Sequence, residues 1–262
     1  MNRWMLGGVA AVAIVALPIA VVAQEEGPKG FLPSGYFDLI DVLPPAPIKE
    51  EPRGAADREI FKLTRALKGT PRWDMAVNDV AADTASMMRD FSCATGVKMT
   101  PQNAPKTAAL LEKASLDTND AIEKIKIFYR RQRPFQIDQG EVCEPTANLG
   151  RSYDYPSGSA TRSWTWGLIL AEVLHKQAAP ILAWARAFGE SRVVCGSHNA
   201  SAVEAGRLAA TSVMDVVRTE RSFSDGIAAS SAELTALAKT APMADGPTCS
   251  NEALLVTQPV MR

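Results

Sequence analysis

The chain has 262 residues, 47% of them apolar, with 28 Lys plus Arg set against 29 Asp plus Glu. That length holds one large domain or two small ones, and the apolar share is enough for a sizeable core. The near-neutral balance, without a long basic run, excludes an electrostatic nucleic-acid surface, so no nucleic-acid partner is expected.

The first residues read as an export signal. Asn2-Arg3 is a short positive start, Trp4 to Val22 is almost wholly apolar, and Val21-Val22-Ala23 ends it on a small residue before Gln24. An uncleaved anchor is the rival reading, because the apolar run is nearly long enough to span a bilayer. Pro18 and the small-residue exit favour cleavage after residue 23, which predicts a periplasmic or secreted protein with no stable membrane insertion after processing. Export gives meaning to Cys93, Cys143, Cys195 and Cys249: an even set in an oxidising compartment predicts two disulfides, with three pairings open. Their spacing matches no zinc pattern and there are two histidines in all, so neither a metal nor another cofactor is expected.

Residues 24–54 are rich in Pro and Gly, with Pro44-Pro45-Ala46-Pro47 near the end, and predict an extended arm anchored by Phe31, Leu32, Tyr36, Phe37, Leu39, Ile40 and Leu43. Ala55 to Lys68 has helical spacing, with Ile60, Leu63 and Leu67 on one side and Gly69 as a stop. Thr70 caps and Pro71 opens a second helix expected to run to about Phe91. A helix over Ala108 to Tyr129 follows, then a loop over Arg151 to Pro156, and a helix opened by Ser157 or Gly158. Further helices are expected from Pro180 to Phe188, stopped by Gly189, and from about His198 to Val217. With no alternating strand pattern anywhere, residues 55–240 read as one all-α domain, and residues 241–262 as a tail, disordered or tied down through Cys249.

Three segments carry the chemistry. Lys126 and Arg133 are seven residues apart, which on a helix puts both on one face, and Pro134 sets the helix end at Arg133. Pro156-Ser157-Gly158-Ser159 opens a helix whose first N–H groups have no intrahelical partner and whose dipole favours an anion. Ser191-Arg192 is followed by His198 across a turn containing Gly196 and Ser197, whereas His175 has no partner motif and reads as an ordinary surface or core histidine. Each segment alone is commonplace: a solvated basic face, a helix cap, a satisfied histidine. Together they offer three cations, a hydroxyl, backbone donors and a nucleophile, an inventory suited to phosphate.

In this order, Lys-x6-Arg-Pro, Pro-Ser-Gly and Ser-Arg-x5-His resemble the pattern of the type 2 phosphatidic acid phosphatase and vanadium haloperoxidase superfamily. Within it the chain is similar to the class A bacterial nonspecific acid phosphatases. Thr64-Arg65-Ala66-Leu67-Lys68-Gly69-Thr70-Pro71-Arg72-Trp73, Phe91-Ser92-Cys93 and Ser191-Arg192-Val193-Val194-Cys195-Gly196 extend the likeness over roughly residues 31–220. The resemblance implies a helical bundle with the site between helices. It implies that Lys126, Arg133, Ser157, Gly158 and Arg192 bind the phosphate and that His198 attacks phosphorus to give a phosphohistidine, without a metal. The substrates would be small phosphate monoesters, or inorganic phosphate where only binding survives; a homo-oligomer is compatible with the sequence.

Two positions depart from that pattern. Ser159 stands where the family has a His that protonates the leaving oxygen, and Ala202 where it has an Asp that fixes the nucleophile's tautomer. Ser201 and Glu204 are poor substitutes, one uncharged and the other facing elsewhere. The sequence therefore predicts an acid phosphatase of weakened or altered catalysis, or a non-catalytic phosphate-binding protein. The missing His also counts against a haloperoxidase.

Overall fold

The computed structural model describes residues 28–242, 246–258 and 260. The signal read at residues 1–23 lies outside them. The helices run in the order α1 (Pro52–Thr64), α2 (Pro71–Asn78), α3 (Thr84–Thr95), α4 (Pro105–Tyr129), α5 (Pro134–Ile137), α6 (Thr146–Leu149), α7 (Gly158–Val173), α8 (Ala178–Cys195), α9 (Ala200–Val217), α10 (Arg221–Thr240) and α11 (Pro247–Val256). Among the described residues there is no sheet, only one isolated bridge between Val97 and Pro242. The all-α expectation holds.

Helix α7 is the axis of the bundle. Trp166, Ile169, Leu170 and Val173 recur at helical spacing and are buried, and α7 packs against α4, α8 and α9. Trp166 sits beside Phe91, whose ring meets that of Trp184 of α8 at a tilt, with centroids 4.4 Å apart. Leu39 and Leu43 of the N-terminal arm are buried in the same core. The arm is also held by its backbone, since Phe31 and Leu32 N–H donate to the Asp117 carboxylate at 2.8 and 2.9 Å. Tyr36 stands exposed and anchors nothing.

Several local expectations shift. The buried side of α1 is Asp57, Phe61 and Thr64, while Leu63 is 64% exposed. Ile60 and Leu67 pack against the core as their spacing suggests, but Leu63 does not, because Asp57 and Phe61 take the inward side of the helix. The helix begun at Thr70, whose hydroxyl accepts from Trp73 N as expected, ends at Asn78, and a separate helix starts at Thr84 under an Asp83 cap. Helix α8 runs straight through Gly189. That glycine serves packing, since a Cβ there would meet Val203 at 3.1 Å and Ala160 at 3.4 Å. The stop comes at Gly196, with φ +82°. The disulfides are Cys93–Cys249, which ties α11 to α3, and Cys143–Cys195.

Candidate active site

The end of α8 makes the first half of the site. Gly196 takes the left-handed conformation, and the N–H groups of Ser197 and His198 turn back onto the Arg192 carbonyl at 3.0 and 3.2 Å. His198 is thereby folded against the last turn of the helix that carries Arg192. Arg65 covers the same helix end, donating to the carbonyls of Val193 and Val194 at 3.1 and 2.6 Å.

The second half comes from the segment after α4, and here the expectation needs correcting. Lys126 and Arg133 do not share a helix face. Helix α4 ends at Tyr129, Arg130 adopts φ +46°, and Arg133 is the residue before Pro134 at the start of α5, its N–H capped by Gln136 Oε1 at 2.8 Å. The two cations converge through this left-handed turn. Lys126 Nζ donates to Tyr153 O at 2.8 Å; Arg133 donates to Ser152 O at 2.9 Å and Ser197 O at 2.7 Å. Arg133 lies within electrostatic reach of both Lys126 and Arg192. Arg133 Nη1 is 3.1 Å from His198 Nε2. All four side chains are buried, and among the described residues Arg192 Nε has no hydrogen-bond partner.

Ser157 caps and Gly158 opens α7, three and four residues after Asp154. The Ser157 hydroxyl caps the helix by accepting from Ala160 N, and its N–H donates to Ala202 O at 2.9 Å, so the N–H groups left at the helix start belong to Gly158 and Ser159. Gly158 and Ser159 line an open cleft of about 340 Å³ together with Asn119, Ile122 and the ion pair Glu112–Arg162. None of the three cations, nor His198, lines that cleft.

Four residues escaped the sequence reading. Asp154, fully buried, receives His198 Nδ1 at its carbonyl (2.8 Å) and at Oδ1 (3.1 Å), Asn199 N at 3.0 Å, Asn199 Nδ2 at 2.8 Å and Arg131 at 3.2 Å. Arg131 also pairs with Asp57, which accepts from Ser201 N and Oγ. Glu144, beside Cys143, pairs with Arg192. The one signal for Asp154 was a carboxylate immediately upstream of Tyr155-Pro156-Ser157. The residues that the motif spacing singles out do other work. Ser201 serves Asp57, Glu204 is exposed, Ala202 is buried in the core, and His175 is exposed with Nδ1 near Glu172 O.

Electrostatics follow from burial. Burial, reinforced by the Arg133 charge, takes His198 down to about 3, so the imidazole is neutral in mild acid. Burial and Arg133 likewise bring Lys126 down to about 8. Burial opposes ionisation of Asp154, but its bonds from His198 and Asn199 and the Arg131 charge outweigh it and hold the carboxyl below the usual range. Among the described residues no cluster of His, Cys, Asp and Glu is arranged to hold a metal ion.

The profile described as the PAP2 superfamily matches residues 113–219, the span from α4 through α9. An acid phosphatase of Zymomonas mobilis is 35% identical over 190 residues, 72% of each chain. The chain belongs to the PAP2 superfamily. Within this superfamily it groups with the bacterial class A acid phosphatases. The non-specific acid phosphatase of Salmonella typhimurium is 33% identical over 168 residues, 63% of this chain and 67% of that one. That of Providencia stuartii is 29% identical over 193 residues, 72% and 78% respectively. These relatives and the PAP2 match support a phosphatase-like function. No helix among the described residues is long and apolar enough to cross a membrane.

Proposed function

We propose that the protein is an exported phosphomonoesterase that works through a phosphohistidine on His198, with Lys126, Arg133, Ser157, Gly158 and Arg192 holding the phosphate. The observation that carries this reading is the 3.1 Å approach of Arg133 Nη1 to His198 Nε2, which sets the attacking nitrogen beside a phosphate-binding cation. Nε2 attacks phosphorus, the P–O bond to the leaving group breaks, and the electron pair departs on that oxygen. Water then attacks phosphorus, the P–N bond breaks, and Nε2 recovers its lone pair as the proton goes to solvent. No metal takes part, since the cations neutralise the equatorial oxygens.

Ser159 cannot protonate the leaving oxygen, so the activity is weakened selectively. Aryl esters leave unprotonated, whereas alkyl esters need the acid and are slowed by about 10²- to 10⁴-fold. A non-catalytic phosphate-binding role is the second reading. It is favoured by the lack of a leaving-group acid, since Ser159 stands where the family has a His while the cations are kept. We take residues 1–23 as the removed signal, 24–54 as the arm, 55–240 as the catalytic domain and 241–262 as the tail.

The test is turnover of p-nitrophenyl phosphate against an alkyl phosphate by the mature protein, with trapping of phosphate on His198. Release of nitrophenol that His198→Ala abolishes is the expected result. Vanadate binding without release or labelling would leave the binding role instead. Equal, rapid turnover of both esters would show another acid in place of the missing His.

A further inference from the structure

We propose that Asp154 is the positioning carboxylate of His198, supplying from the loop before α7 the negative charge that the family pattern places at position 202. The inference rests on the His198 mechanism above.

The geometry assigns the ring's proton. Both atoms facing Nδ1, the Asp154 carbonyl and Oδ1, can only accept, so Nδ1 carries the hydrogen and Nε2 presents its lone pair towards Arg133. That is the tautomer an Nε2 nucleophile needs. The two acceptors divide the work: the carbonyl alone would fix the tautomer, while the carboxylate adds charge. When Nε2 bonds to phosphorus the ring becomes a cation with Nδ1–H retained, and a buried anion 3.1 Å away stabilises it. The proton stays on Nδ1 throughout, and Asp154 is never protonated.

Helix α9 offers no competing carboxylate. Ala202 is in the core, Ser201 is bound to Asp57, and Glu204 is exposed. Among the described residues, every bond that the Asp154 carboxylate accepts comes from His198, Asn199 or Arg131. Arg131 then joins Asp154 to Asp57, which grips Ser201 three residues past the nucleophile. Two carboxylates bridged by one guanidinium therefore hold the His198 segment from both sides.

A cap for Asn199 would explain part of this, so the experiment separates chemistry from scaffolding. In 15N-histidine NMR of the mature wild-type protein in mild acid, His198 should show the Nδ1–H neutral tautomer. A ring protonated on Nε2 would overturn the assignment, and this reading needs no turnover. If wild type never labels His198, the mechanism fails while the tautomer still decides the role of Asp154. In kinetics, Asp154→Asn should lower kcat for p-nitrophenyl phosphate by about 10²- to 10⁴-fold with vanadate affinity nearly unchanged. Asp154→Glu, which keeps the charge, should retain a large part of the rate that Asp154→Asn loses. A kcat near that of wild type in Asp154→Asn, or parallel loss of kcat and vanadate binding in both variants, would overturn the proposal.

Discussion

Glu144 and Arg192 form a buried ion pair inside the cation cluster, so the protein carries its own carboxylate against a residue proposed to bind phosphate. Phosphate and Glu144 therefore compete for one guanidinium. Glu144→Gln removes a like charge from beside the incoming anion, worth about 1–2 kcal/mol at the dielectric of such a site, or roughly a tenfold fall in KM. The free variant should melt earlier than wild type, since Arg192 loses its counter-charge, and inorganic phosphate should recover the difference. Calorimetry with and without phosphate, beside KM for an aryl ester, checks both halves. An unchanged KM would show that Glu144 stays clear of the anion.

Reinstating the two departed family residues should have opposite effects. Ser159→His places an acid at the edge of the open cleft and should raise alkyl phosphate turnover by about 10²- to 10⁴-fold, with little gain on aryl esters. Ala202→Asp in the otherwise unchanged protein puts a second carboxylate into a filled core position. It should destabilise by on the order of 3 kcal/mol without raising kcat. Melting curves and paired substrate kinetics test this, and a rate gain from Ala202→Asp alone would contradict it.

The pH profile should be set by two displaced groups. With His198 near 3, the nucleophile stays neutral through mild acid, so the acid limb of kcat/KM belongs near that value instead of 6.5. With Lys126 near 8, one phosphate-binding charge is lost above that pH, and KM should climb there instead of near 10.5. Bound phosphate favours the charged lysine, which moves the limb upward in the complex. Stability follows the same logic. Between about 3 and 6.5 the unfolded His198 binds a proton and the folded one does not, so stability falls as pH falls across that window. His198→Asn should flatten this slope in a series of thermal melts.

The two disulfides should fail differently. Replacing Cys93 and Cys249 by Ser frees α11 from α3 and should reduce stability by about 2–4 kcal/mol with KM unchanged. Replacing Cys143 and Cys195 releases Glu144 and the turn at Gly196, where Cys143 N also donates to Cys195 O at 3.0 Å. This second pair should lower kcat as well as stability. Kinetics of each double variant below its melting temperature separates them.

The helical class, the cap at Thr70, the opening of α7 at Ser157 and the gathering of Arg133, Arg192 and His198 were legible in order and spacing. The route to that gathering was not. Counting seven residues put Lys126 and Arg133 on one helix face, but Arg130 breaks the helix, and nothing local marks an arginine for positive φ. Gly189 and Gly196 look alike in sequence. One relieves a helix contact and the other ends a helix, because tertiary neighbours make the choice. Asp154 was overlooked because a motif read by position asks what stands at 202, while the imidazole responds to whichever carboxylate arrives in space, here one 44 residues upstream.

Tyr155, between Asp154 and Pro156, donates its hydroxyl to the Pro44 carbonyl at 2.5 Å across a sequence separation of 111 residues. The proline-rich arm is thus a strut under the loop that steadies the imidazole. It cannot settle until residue 155 has been made and placed, although it is synthesised first. A fusion or a shortened start that disturbs residues 31–44 would consequently be felt at His198, far along the chain, before it was felt in the bundle itself.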